Sequence, residues 1–115
     1  MTESIKLIQN QYLVREGEES TEMYYLKEGT LAVYKRKGDA EVQIGIISAG
    51  ELVGEMSFLD KNPRSASVRA MSECELVAIP LDKFESTMRS MPKWFSALLN
   101  TLVGRLRKAN SRVKV

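Results

Sequence analysis

Turn-forming residues at Gly17, Gly29, Gly38, Gly50 and Pro63 interrupt the first part of this chain every nine to thirteen residues, and no other feature constrains its fold as strongly. Between these points stand short runs in which apolar residues alternate. Leu31 and Val33 share one face of "TLAVYKR"; Val42, Ile44 and Ile46 share one face of "EVQIGII"; Ala66, Val68 and Ala70 share one face of "SASVRAM". "CELVAI" is a dense apolar run. A side-chain period of two, cut by turns at this spacing, argues for an antiparallel β sandwich or barrel rather than a parallel sheet. Gly38-Asp39 in "KRKGDAEV" offers the positive-φ position of a hairpin turn, and the adjacent Lys35-Arg36-Lys37 is expected to be a solvated face.

The period changes after Pro80. Asp82 and Glu85 form an Asp-x-x-Glu capping box that opens a short helix, with Phe84 and Met88 on one face and Pro92 at its end. From Lys93 onward, Phe95, Leu98, Leu102, Leu106, Ala109 and Val113 follow steps of three and four, widened by Leu99 and Val103. The spacing therefore predicts a β-unit over about 5–80, a short helix over about 82–91 and a long amphipathic helix over about 93–113.

Composition narrows the function. At 115 residues, 43% apolar and 28% charged, the chain is an ordinary soluble domain in size and make-up. No apolar stretch is long enough to span a membrane, and "MTESIKLIQN" lacks the basic start and apolar core of a secretory signal. A single cysteine, Cys74, cannot form an internal disulfide, so a reducing cytoplasm is the expected compartment and a buried structural thiol its expected role. The chain has no histidine. That removes the commonest general base and metal ligand, argues against a metal-dependent enzyme and excludes a histidine-based hydrolase. A net charge of +2 does not by itself imply nucleic acid, and Arg105, Arg107, Lys108, Arg112 and Lys114 suit a helix C-terminus on dipole grounds alone.

One stretch needs a separate account: "GELVGEMSFLDKNPRSASVRA", residues 50–70. It sets Arg64 among small residues that should withdraw the guanidinium from water, and a buried cation must be paired. One partner is Glu55, in a structural salt bridge within an interaction or dimerisation domain that takes no ligand. The other is an external anion, held by the planar guanidinium fork that suits phosphate. Ser65, Ala66 and Ser67 let a ligand approach the backbone, where successive N–H groups can form an anion nest. "GEMSFLD" reads as a short helical turn whose amino end adds partial positive charge, with Glu55 placed to accept hydrogen bonds from ligand hydroxyls.

The same stretch resembles the phosphate-binding cassette of the cyclic nucleotide-binding domain family, which includes catabolite activator proteins and protein kinase A regulatory subunits. The family pattern of Gly-Glu, short helix, then Pro-Arg-small-Ala-small-Val stands here as Gly54-Glu55 and Pro63 to Val68. "REGEESTEMYYLKEGTLAVYKRKGD" is similar to the family's opening strands, and "LLNTLVGRLRKANSRV" to its last helix. The resemblance implies a β jelly roll, with C-terminal helices that move when one cyclic nucleotide binds. It implies that Arg64 pairs with the cyclic phosphate, Glu55 binds the ribose 2′-hydroxyl with Gly54 supporting it, and Ser65 and Ala66 donate backbone N–H groups to phosphate. Met56 and Ser57 complete the cassette, while Arg107 and Asn110 are placed to stack on the base and to pair with the adenine edge.

Ser65 is expected to discriminate bases weakly, so cyclic AMP should bind more tightly than cyclic GMP, with both detectable. No cofactor, metal, membrane or nucleic acid is expected as a partner, and Leu98, Leu102, Leu106 and Ala109 form a seam expected to make a parallel homodimer. Two features depart from the family pattern. No helix-turn-helix or other output segment follows Val115, so a longer natural chain is expected; and Ala109 and Asn110 stand where the catabolite activator has threonine and serine.

Overall fold

Among the described residues, eight strands account for most of the chain before Leu81, and each turn signal separates two of them. The computed structural model describes residues 3–55 and 61–112, with only the backbone described for 110–112. The strands are β1 (Ser4–Leu7), β2 (Tyr12–Val14), β3 (Glu22–Glu28), β4 (Thr30–Lys37), β5 (Ala40–Ser48), β6 (Leu52–Val53), β7 (Ser67–Ala70) and β8 (Cys74–Pro80). They form two four-stranded sheets, ordered β1-β8-β3-β6 and β2-β7-β4-β5, and every pairing is antiparallel. Two antiparallel sheets, between which the chain crosses at every connection except the β4–β5 hairpin, make a β jelly roll.

Period-two patterning supplies the layer between the sheets. Leu26, Leu31, Val53 and Leu76 are fully buried there, joined by Val14, Tyr24, Val68, Ala70, Cys74 and Ala78. Cys74 is a structural thiol; its Sγ lies 3.4 Å from the carbonyl oxygens of both Thr30 and Ser72. The two-residue hairpin at Gly38-Asp39 joins Lys37 of β4 to Ala40 of β5.

Strand β5 departs from the alternation expected of it. Val33 pairs with Gly45 but Tyr34 pairs with Gln43, so Ile44 is the extra residue of a bulge. The bulge sets Val42 opposite Lys35 and Ile46 opposite Ala32. Lys35 and Ala32 lie on opposite faces of β4, so Val42 and Ile46 do not share a face.

The chain divides into two compact units, Met1–Leu81 and Asp82–Val115. Helix α1 spans Leu81–Arg89 and α2 spans Lys93–Arg112. Asp82 lies inside the first turn of α1 rather than at its cap, and its Oδ1 accepts a 2.8 Å hydrogen bond from the Lys83 N–H. A carboxylate there still complements the positive end of the helix dipole. Along α2, Leu98, Leu102 and Leu106 are about half exposed, whereas Val103 is buried. Among the described residues no helix is long and apolar enough to cross a membrane.

Candidate functional site

Arg64 stands three residues ahead of β7, and its backbone is fixed before its side chain is considered. Its N–H donates to the Glu18 carbonyl and its own carbonyl accepts from the Gly17 N–H, both at 2.8 Å. The Glu16 N–H donates to the buried Ser67 Oγ at 2.9 Å. The β2–β3 turn thus holds both sides of Arg64. Ser67, expected as part of an open cradle, spends its hydroxyl on that turn.

The Arg64 side chain is only 5% exposed. Its Nη2 donates to the Glu22 carbonyl at 2.6 Å and its Nη1 to the Gly54 carbonyl at 3.4 Å. The guanidinium carbon lies 5.7 Å from the centre of the Tyr24 ring. Tyr24 is itself buried, and its hydroxyl donates to Glu22 Oε1 at 2.9 Å. Burial, reinforced by the bond to Glu22, pushes the Tyr24 phenol up to about 12. These contacts orient the guanidinium without neutralising it. Its buried Nε has no hydrogen-bond partner among the described residues. The ion pair found among them is Lys27–Glu75, so the alternative of a Glu55–Arg64 salt bridge is not realised.

Gly54 follows β6 directly, at φ +75°, and a Cβ there would collide with Arg64 Nη1. Both the left-handed backbone and the close approach require glycine. Glu55 next to it is half-buried, and the rest of the turn expected from the sequence lies outside the described residues. Met56 and Ser57, also expected in the site, lie outside the described residues.

The structure brings Gly54, Glu55, Arg64, Ser65 and Ala66 to one end of the roll, where β6 ends and β7 begins. Arg107 lies exposed on α2, and the Asn110 backbone continues that helix; both belong to the second unit. Lys35 corrects the expectation of a solvated basic run: it is half-buried, and its Nζ donates to the Ser65 carbonyl at 2.8 Å. Neighbouring Arg36 donates its N–H to Glu16 Oε1 at 3.0 Å. Sequence reasoning also missed Glu18, Glu22 and Tyr24, which hold Arg64 from forty or more residues away and carry no local signal. Among the described residues no cluster of acidic or cysteine side chains could hold a metal.

The family model for the cyclic nucleotide-binding domain matches residues 5–91. The human potassium/sodium hyperpolarization-activated cyclic nucleotide-gated channel 2 is 32% identical over 95 residues, which cover 83% of this chain and 10% of the channel. The cAMP-activated global transcriptional regulator CRP of Salmonella typhimurium is 28% identical over 103 residues, covering 88% of this chain and 49% of the regulator. The chain thus spans about a tenth of one relative and about half of the other. Among solved structures it resembles the EAL enzyme Bd1971. The cAMP-bound form has a TM-score of 0.76 at 29% identity, covering 94% of this chain and 29% of that one. The cGMP-bound form has a TM-score of 0.78 at 27% identity, covering 96% and 30%. With the family model matched over more than half its length, this chain belongs to the cyclic nucleotide-binding domain family, a regulatory family.

Proposed function

We propose that this domain is a cyclic nucleotide sensor that binds one ligand at the Gly54–Ala66 end of the roll and catalyses no reaction. The observation that carries this is Arg64: a buried guanidinium with an unpartnered Nε and no carboxylate beside it among the described residues. Such a group costs several kcal/mol unless an anion compensates it. A cyclic phosphate supplies both the charge and the acceptor oxygens. Arg64 takes the phosphate, aided by the Ser65 and Ala66 N–H groups, while Glu55 accepts from the ribose 2′-hydroxyl. Arg107 and Asn110 meet the base, and ligand binding is signalled through α1 and α2.

Cyclic AMP is the preferred ligand. The regulator relative is named for cAMP, and the Bd1971 structures include both cAMP- and cGMP-bound forms, in keeping with a site that accepts both. Ser65 keeps a hydroxyl near the base but lacks the methyl that would limit its rotamers, so the preference is about tenfold. Titration of the purified domain with labelled cyclic AMP, then competition by unlabelled cyclic AMP and cyclic GMP, tests the assignment. Saturable binding displaced first by cyclic AMP is expected; absence of binding at millimolar ligand refutes the function, and a preference for cyclic GMP refutes the selectivity.

The half-exposed stripe of Leu98, Leu102 and Leu106 on α2 is the seam of a parallel homodimer, since its steps of four suit helix–helix packing. Sedimentation at tens of micromolar should show a dimer; a monomer with and without ligand refutes it.

A further inference from the structure

Lys35 stands at the point where β4 outruns its neighbour. The β4–β7 ladder ends at Tyr34–Ser67, so Lys35 is the first β4 residue beyond it, facing the chain as it leaves the cassette. It belongs to the same β4 face as Leu31 and Val33, which pack on the core, rather than to the outer face of Ala32. From there its Nζ reaches the Ser65 carbonyl at 2.8 Å.

We propose that Lys35 is a positioning residue for the ligand phosphate, acting on it through the Ser65–Ala66 peptide. This rests on the reading of the cassette as a cyclic nucleotide site. The Ser65–Ala66 peptide is planar and trans, so holding its carbonyl also fixes the direction of the Ala66 N–H. That N–H is one of the two assigned to phosphate. An ammonium hydrogen bond sets the peptide more firmly than a neutral one, and its charge acts on the incoming anion from across the peptide. Arg64 supplies the buried charge; Lys35 supplies an accessible one whose effect is sensitive to salt. Arg36 and Lys37 are exposed, and their side chains take no part.

The test compares the parent domain with Lys35→Met, Lys35→Arg and Arg64→Ala, each titrated with cyclic AMP at low and high salt. Lys35→Met should weaken binding by about five- to tenfold, flatten the salt dependence and leave the melting temperature of the ligand-free protein unchanged. Lys35→Arg should restore most of the affinity. In the ligand-free protein, the Ala66 amide resonance should move in Lys35→Met more than amides at the far end of β7. If Lys35→Met binds like the parent while Arg64→Ala does not, the role of Lys35 is overturned and the cassette reading stands. A lowered melting temperature that Lys35→Arg does not correct would also overturn it, leaving Lys35 a structural residue. A parent that binds no cyclic AMP would overturn both readings.

Discussion

Replacing Gly54 with alanine should damage stability and ligand binding together, through one added methyl group. At φ +75° an L-residue pays about 1–2 kcal/mol for the left-handed backbone. The new Cβ would also sit on Arg64 Nη1, so the guanidinium must move. Moving it breaks the bonds to the Gly54 and Glu22 carbonyls, and disturbing a buried charged group costs about another 1–3 kcal/mol. The total is about 3 kcal/mol, which for a domain of this size lowers the melting temperature by roughly 10 °C. Gly50→Ala is the control: it has φ +97° but no heavy atom within 4 Å of where a Cβ would sit, so it pays the backbone cost alone. Thermal melts with and without cyclic AMP compare the two. Gly54→Ala should melt lower than Gly50→Ala and lose the ligand-induced rise that Gly50→Ala keeps. Equal melting temperatures and equal ligand responses would refute the packing of Arg64 against Gly54.

Arg64→Ala should weaken cyclic AMP binding by about 3 kcal/mol, roughly two orders of magnitude, and Arg64→Lys should also weaken it because a point charge cannot form the fork; binding titrations measure both. Glu55→Gln should weaken cyclic AMP binding by about tenfold yet leave binding of its 2′-deoxy analogue nearly unchanged, which a competition assay with the two nucleotides reads directly. Tyr24 makes stability depend on alkaline pH. Its phenol titrates near 12 when folded against 10 in the unfolded chain, so the unfolded state loses its proton first. The stabilisation is therefore complete below pH 10 and disappears as pH rises to 12, a loss of about 2 kcal/mol that denaturant melts should show in the parent and not in Tyr24→Phe.

The burial of Arg64 beside Gly54 was legible because its signals are local. Gly54, Glu55 and Arg64 fall within one short stretch, and Arg64 among small residues already implies a withdrawn cation that needs a counter-charge. The antiparallel roll was legible for a similar reason, since turn residues and period-two runs act within a few positions of each other. Contacts set by cross-strand register were not. Glu22 and Tyr24 reach Arg64 only because the β2–β3 turn is pinned to the cassette backbone. The bulge at Ile44 could not be seen in "EVQIGII", whose spelling is that of an unbroken strand, and it split Val42 from Ile46. Lys35 looked like one of three solvated basic residues; only the end of the β4–β7 ladder sets it apart from Arg36 and Lys37. Asp82 falls two positions inside the cap expected for it, because an Asp-x-x-Glu pattern suits the first turn of a helix as well as its cap.

The central claim is that the buried Arg64 guanidinium, whose Nε has no partner among the described residues, receives the ligand phosphate. The most direct measurement is the NMR resonance of the Arg64 Nε–H, assigned by its loss in Arg64→Lys and followed as cyclic AMP is added. In the ligand-bound protein it should move strongly downfield and become protected from exchange with water, as a donor newly bonded to an anionic oxygen. Saturation with cyclic AMP that leaves this resonance in place, while other amides respond, would contradict the account.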